Sequence, residues 1–387
     1  MPFKEKTIVD ERNEFVRRVL AHEATKAALC REYGISRPTG DNWLLRHAQG
    51  EPLTDRGRAP HRVPNKTDAA VEAQIVALRT KHPALGAKKL HKMLAPVLGD
   101  ALPAVSTVNE ILKRNGCISA AASAAATPYK RFERSRPNDL WQMDFKGHFA
   151  LDNGQRCHPL TVIDDHSRFG ICLDAKLCET RAEVEQSLLR AFRAYGLPRQ
   201  ILCDNGSPWG NSQTFSYTKL EIWLLELDIH PIHGRVRHPQ TQGKDERFNG
   251  TLKREHLAFL PPESLDLTQQ HFDEFLRFYN FERPHHALGL DVPASRYYAS
   301  ERKMADAVCE WDYAGGTLRT VKSTGYLAFQ GQGYFLSEAL GGKTVCLIET
   351  ETDGVYDVTF HQFTVAQLST IDRAVTQRRI RRTGPRK

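Results

Sequence analysis

"LWQMDFKG", residues Leu140 to Gly147, alternates apolar and polar side chains through most of its length. With the period of two that a strand imposes, Trp141, Met143 and Phe145 share one face, and Gln142, Asp144 and Lys146 share the other. Asp144 therefore faces away from an apolar row. Further on, "PLTVIDDHSRFGICLDA" reads as a hairpin of two largely apolar strands that turns through Asp165 to Arg168. "TRAEVEQSLLRAFRAYG" reads as a helix, with Thr180 and Glu183 in a capping box and Gly196 as its stop. "RQILCDNG" is a short buried strand that ends on Asp204, where the Asn205-Gly206 turn signal follows. A helical pattern, "YTKLEIWLLELD", a possible strand, "IHPIHG", and a charged helix, "QTQGKDERFNGTLKREH", complete the run.

The order is three strands, helix, strand, helix, strand, helix. It matches an α/β core of the ribonuclease H type, a mixed five-stranded sheet with helices packed on it. Three acids then stand out. Asp144 and Asp204 end strands, and Glu246 lies on a helix that could cross those strand ends. Carboxylates gathered within a few ångströms repel strongly unless a cation sits between them. All-oxygen donors suit Mg²⁺ or Mn²⁺. At 100° per residue, Asn249, Gly250 and Lys253 share the side of Glu246, while Phe248 and Leu252 face the opposite way, toward a core. Asp245 points between these faces and Glu255 nearly opposite to Glu246, so both are poorer candidates for the same site. A lone Asp at a strand end more often caps a turn, and Asp164 and Asp165 fit that role. His230, His233 and His238 cluster in sequence, but no cysteine stands at finger spacing to complete a zinc site.

Upstream of this core, "ATKAALCREYGISRPTGDNWLLRHAQG" reads as helix, short turn, helix, broken at Gly34 and restarted after the N-cap Ser36 with Pro38 just inside. Leu29, Ile35, Trp43 and Leu44 could form its shared core, leaving Arg31, Arg37, Asn42 and Arg46 for phosphates or base edges. A second helical unit runs from Thr67 to "PAVSTVNEILKRNG", where Thr107 and Glu110 make a capping-box pattern and Gly116 a stop. Val108, Ile111 and Leu112 supply its buried stripe; Asn109, Lys113 and Arg114 remain for solvent or DNA. Expected boundaries are a helix-turn-helix domain at 1–58, a second, winged-helix-like one at 64–117, a basic linker at 118–137 and the catalytic core at 138–300. Strand-like runs separated by glycine turns suggest a small β-barrel at 311–370, and 371–387 a basic tail, disordered or phosphate-binding.

The 387 residues exceed what one core usually serves. The 54 Lys and Arg against 46 Asp and Glu leave a net charge of +8, which favours polyanionic partners. Eight cysteines without a C-x-x-C pair suggest neither a disulfide framework nor a thiolate zinc site, and hence a reduced, cytoplasmic setting, nucleoid-associated if DNA is the partner. No stretch approaches the roughly 20 apolar residues that span a bilayer, so no membrane partner is expected.

Together "WQMDF", "VIDDHSR", "CDNGSPW", "HPQTQGKDERFNGTLKRE" and "YNFERPHHALGLDVPASRY" appear in the order of the core motifs of insertion-sequence transposases with a retroviral-integrase-like DDE core, which residues 138–298 resemble. The flanking domains resemble the rest of such transposases more loosely. The resemblance implies that Asp144, Asp204 and Glu246 are the three catalytic, metal-binding carboxylates, holding two Mg²⁺ or Mn²⁺ ions. It further implies cleavage of a strand at an element's end and attack of the released 3′-OH on target DNA. Lys244, Arg247 and Lys253 would hold phosphates. Double-stranded DNA is the implied partner, and two ends processed together imply at least a homodimer. Two departures accompany the match: a longer interval between Asp204 and Glu246, suggesting an insertion around "GNSQTFSYTK", and Asp245 where relatives often carry an apolar residue. The competing expectations are a transposase-derived, sequence-specific DNA-binding regulator and a ribonuclease H-like nuclease that cuts without joining.

Overall fold

The structure is a computed structural model and describes residues 7–56, 67–118, 133–209, 217–234, 243–305, 311–313 and 315–382, the side chains of 378 and 379 excepted. Most of the expected insertion around 210–219, His238, most of the linker and the end of the tail lie outside the described residues. The chain divides into two compact units, residues 1–66 and 67–387.

The first unit holds α1 (Ile8–Leu20), α2 (Lys26–Glu32) and α3 (Arg37–Ala48). Only α2 and α3 were expected. Helix α1 is highly charged and buries just Phe15 and Val16, so its apolar signal is thin; a reciprocal capping box between Thr7 and Asp10 starts it. Ser36 caps α3 as read, with Pro38 in the first turn. Leu29 lies in the core with Phe15 and Val16, and Ile35, Trp43 and Leu44 pack against it. Gly40 allows this approach, since a Cβ there would stand 3.0 Å from both Cys30 Sγ and the Phe15 ring.

The second unit begins with α4 (Ala69–Lys81), α5 (Ala87–Leu98) and α6 (Val105–Arg114), packed around Ile75, Leu90, Val108, Ile111 and Leu112. Helix α6 starts three residues before the expected point. Its N-cap is Ala104, without a side-chain bond, so Thr107 lies inside the helix and the Thr107–Glu110 capping box does not form. Val105, half-buried, continues the face of Val108, Ile111 and Leu112 one turn earlier.

The core follows as β1 (Trp141–Phe145), β2 (Phe149–Ala150), β3 (Arg156–Asp164), β4 (Gly170–Lys176), α7 (Arg181–Tyr195), β5 (Gln200–Cys203), α8 (Lys219–Glu226), β6 (His230–His233), α9 (Gly243–Glu255) and α10 (Leu265–Phe281). The sheet runs β4-β3-β1-β5-β6, with the short β2 adding a sixth strand against β3. Pairs β1/β3 and β3/β4 are antiparallel, β1/β5 and β5/β6 parallel, so the sheet is mixed. One face, with Trp141, Met143, Leu160, Val162 and Ile201, packs on α7 and α8. On the other, Cys157, Ile163 and Leu173 pack on Phe248 and Leu252 of α9 and Phe272, Phe275 and Tyr279 of α10. This is an integrase-like, ribonuclease H-type core preceded by helices.

The C-terminal part holds β7 (Thr317–Thr320), β8 (Tyr326–Phe329), β9 (Gln332–Phe335), β10 (Thr344–Glu349), β11 (Val355–Phe360), β12 (Phe363–Ser369) and β13 (Ala374–Arg382). Five strands form an antiparallel sheet in the order β13-β12-β11-β10-β7, and β8 and β9 a separate hairpin. Among the described residues β13 and β7 do not pair, so the sheet is open where a barrel was expected. The basic tail is corrected as well. Up to Arg382 it is strand β13, paired with β12 from Ala374 onward, because the ladder satisfies main-chain groups that a loose arm would leave to water.

Candidate active site

Strand alternation and sheet register bring the first two acids together. Met143 and Cys203 belong to the cluster under α7 and α8, so Asp144 and Asp204, the next residue in each case, turn toward the α9 face. Gln142 pairs with Leu202 across the parallel β1/β5 ladder. Continued two residues on, that register sets Asp144 beside Asp204 at the carboxyl ends of neighbouring strands. Asp144 is half-buried, and Asp204 and Glu246 are exposed.

The first turn of α9 is pinned to the sheet by three consecutive contacts. Lys244 ion-pairs with Asp165, which is wholly buried. The Asp245 amide donates to Gln142 Oε1 at 3.3 Å, and Gln142 Nε2 donates to Asp165 at 2.7 Å. The Asp245 carboxyl, 1% exposed, lies 2.9 Å from Thr161 Oγ1 and accepts from Asn249 Nδ2 at 2.7 Å. Burial, followed by the charge of Asp144, pushes Asp245 well above the usual carboxylate range. Thr161 Oγ1 also lies 3.1 Å from the main-chain oxygen of Asp144. The Thr161 hydroxyl is thus shared between the Asp245 carboxyl and the Asp144 main chain.

Asp144 is pushed up to about 6, first by burial and then by Asp204, with Glu179 and Glu246 adding to it. Its carboxyl thus feels both other members of the sequence-derived triad, and a fourth acid, Glu179, that sequence reading passed over. Glu179 accepts at 2.7 Å from His158, whose neighbour is His148. Among the described residues no three His, Cys, Asp or Glu side chains form a ready-made metal-ligand set. The donor chemistry nevertheless fits a hard divalent cation, since every candidate donor is a carboxylate oxygen and mutual repulsion is what a cation would relieve.

The basic candidates divide. Arg37 and Asn42 on α3 and Arg247 and Lys253 on α9 are exposed. Lys113 and Arg114 are exposed but ion-paired, with Glu110 and Glu72. Two expectations of DNA-facing cations are corrected. Arg46, 8% exposed, donates to the main-chain oxygens of Pro52 and Thr54 and so closes its own unit. Lys244 is half-buried on Asp165, because the start of α9 needs an anchor on the hairpin turn. Asn249, expected beside Glu246, is buried against Asp245. Lys146 was not singled out, although alternation puts it on the face of Asp144. It is half-buried, and burial followed by repulsion from Lys253 lowers its pKa.

Of the three clustered histidines, the two described are engaged by the protein itself. His230 Nε2 meets the main-chain oxygen of Ile380 at 3.0 Å, whereas His233 contacts Asp204 and Glu221. "YNFERPHHALG" secures the core instead: Arg283 forms a double hydrogen bond to Glu255, and Asn280 both accepts from and donates to the Gly170 main chain.

Comparison with known families agrees with this architecture. Residues 134–239 and 227–293 match two models of an integrase core domain, and residues 317–378 match the C-terminal domain of IS481 family transposases. The chain is 28% identical over 309 residues to the insertion element IS476 uncharacterized 39.2 kDa protein of Xanthomonas euvesicatoria, covering 77% of this chain and 80% of that one. It is 26% identical over 218 residues to the transposase InsD of insertion element IS2 from Escherichia coli, covering 52% of this chain and 69% of that one. A solved structure of the HTLV-2 integrase catalytic core domain in complex with magnesium aligns with 42% of this chain and 99% of its own, at 22% identity and a TM-score of 0.34. No helix among the described residues is long and apolar enough to cross a membrane. Its matches to an integrase core domain and to the C-terminal domain of IS481 family transposases make the chain similar to insertion-sequence transposases with an integrase-like core.

Proposed function

We propose that the protein recognises the ends of a mobile DNA element, cleaves there, and joins the released 3′-OH to target DNA. The observation that carries this reading is the Asp144 carboxyl, raised to about 6 beside Asp204 and within the field of Glu246 on an integrase-like core. In this reading Asp144, Asp204 and Glu246 hold two Mg²⁺ or Mn²⁺ ions, and neither Asp245 nor Glu255 replaces Glu246. Asp245 has both oxygens engaged, and Glu255 is tied to Arg283. When bound, such ions activate a water or 3′-hydroxyl and stabilise the leaving oxygen of an in-line displacement.

The protein's own side chains orient the DNA. Lys253 and Arg247 on α9, with Lys146 two residues beyond Asp144, hold phosphates beside the acids. Arg37 and Asn42 on α3 meet the element end, and the α4–α6 unit adds a second DNA contact. At least two copies act together, one for each end. Residues 311–382 contribute a DNA-binding or subunit-binding sheet, of which a small β-barrel is the closed form.

Strand joining by purified protein on DNA carrying its own element ends, with Mg²⁺ or Mn²⁺, tests the reading. Wild type yields joined product and Glu246→Gln yields none while still binding the ends. Equal joining by both proteins would remove Glu246 from the site. Cleavage without joining by wild type would reduce the activity to that of a nuclease.

A further inference from the structure

His233 closes β6 between two groups that can only accept. Its Nδ1 lies 2.9 Å from the main-chain oxygen of Asp204, and its Nε2 2.9 Å from Glu221 Oε1. The ring thus bridges the Asp204 main chain and the Glu221 carboxyl, with Cys203 Sγ 3.9 Å from the same Nδ1. Its partner is rigidly held. Glu221, 6% exposed, accepts through Oε2 from the Thr218 amide at 2.6 Å and the Thr218 hydroxyl at 3.0 Å, in the capping box that starts α8. The positive end of the α8 dipole adds to its anchoring.

The contact lies where the ladder stops. The last β5/β6 pair is Cys203 with His233, so Asp204 is the first residue of its strand beyond that pairing. Its carbonyl is held by the His233 ring, and the next side chain, Asn205, donates to the Gly234 main-chain oxygen at 2.9 Å.

We propose that Glu221 and His233 are a positioning pair that fixes the Asp204 main chain so that its carboxylate is pre-set for a divalent cation. This rests on the reading of Asp204 as a metal ligand. Partners that orient a ligand typically govern metal affinity by about 10–100-fold. Glu221 is 12 residues from His233 in sequence, and His233 is 29 from Asp204, so the pair exists only through the parallel β5/β6 crossover.

The test is Mn²⁺ binding by electron paramagnetic resonance on the full chain with an element-end duplex, together with the Mn²⁺ concentration that half-saturates cleavage. In His233→Phe and Glu221→Gln we expect Mn²⁺ affinity to fall about 10–100-fold and half-saturation to rise in parallel, with end-DNA affinity unchanged. His233→Lys, whose ammonium can donate to both the Asp204 carbonyl and Glu221, recovers a large part of the loss. Should His233→Phe fail to fold, the near-isosteric Glu221→Gln and the His233→Lys rescue still decide the matter. Wild-type Mn²⁺ affinity in Glu221→Gln and His233→Lys, or in all three variants, overturns the positioning role while leaving Asp204 a ligand. Identical Mn²⁺ binding by wild type and Asp204→Asn overturns the metal-site reading, and the positioning pair with it.

Discussion

Between Asp245 and Glu246 helix α9 turns by about 100°, and that step separates a sealed carboxyl from an exposed one. Removing the Asp245 side chain leaves the buried Asn249 amide without its carboxyl partner and takes from Thr161 one of its two contacts, so Asp245→Ala should cost about 2 kcal/mol of stability. Glu246→Gln changes an exposed group and should shift stability by less than about 0.5 kcal/mol while abolishing joining. Denaturant unfolding of both variants checks the contrast; equal destabilisation would mean that the two acids share one role. Lys253 lies two turns beyond Glu246 on α9. If it holds a phosphate, Lys253→Ala weakens binding to any DNA sequence and reduces the slope of log affinity against log salt by about 1, measured by titration at several salt concentrations.

Helices α5 and α9 and the loop after α10 meet at a buried ionic cluster. Arg283 donates to both oxygens of Glu255 at 2.6 Å, Lys89 approaches Glu255 at 3.8 Å, and the His82 ring stacks on Phe278 at 4.4 Å. The α4–α6 unit is thus fastened to the core through the segment that the sequence motif "YNFERPHH" marks. Arg283→Met leaves Glu255 buried without its main partner and should destabilise the chain by about 3–5 kcal/mol, read from urea unfolding.

His285 Nε2 accepts from Arg283 at 3.2 Å and so must be unprotonated; burial, then Arg283, pushes its pKa down to about 2. The unfolded chain takes up this proton near 6.5 and the folded one only near 2. The unfolded state therefore binds more protons in between, and stability falls as pH drops from 6.5 toward 2. Thermal midpoints between pH 7 and 4 should decline, and His285→Gln should flatten part of that decline; an unchanged slope would remove His285 as a contributor.

At the scale of the second unit, α8 serves two cores at once. Leu220 and Leu224 face the integrase-like sheet, while Ile222 and Leu225 join Phe360, Phe363 and Val365 of the C-terminal sheet. Tyr217 donates to the Val365 main chain, Arg382 pairs with Asp228 at 2.7 Å, and Arg302 reaches the same Asp228 at 3.1 Å. The strand that carries Arg382 therefore helps dock the sheet as well as complete it. Deleting residues 371–387 strips β13, bares the β12 edge and removes the Arg382 pair. A lower thermal midpoint and concentration-dependent light scattering are expected; a truncated chain as soluble and stable as the full one would contradict this role for β13.

Much of this was legible in one dimension. Alternation in "LWQMDFKG" turned Asp144 away from Trp141, Met143 and Phe145, helical spacing turned Phe248 and Leu252 inward, and Ser36, Thr180 and Gly196 marked helix ends, because each of these is a local periodic or conformational preference. Order along the chain likewise carried the mixed sheet and the three acids at separate strand ends and helix. Helix α1 escaped because so few of its residues are buried, and Thr107 misled because a local cap lost to the apolar stripe beginning at Val105. What only the tertiary structure decided concerns partners far apart in the chain: Asp245 meets Thr161 across 84 residues, and Lys244 and Arg283 are held by groups that no spacing rule names. Nor does composition distinguish a basic strand from a basic tail, or reveal His233 between Asp204 and Glu221. Periodicity tells which way a side chain points; the sheet register and helix packing determine what it meets there, and that contact sets its charge and its role.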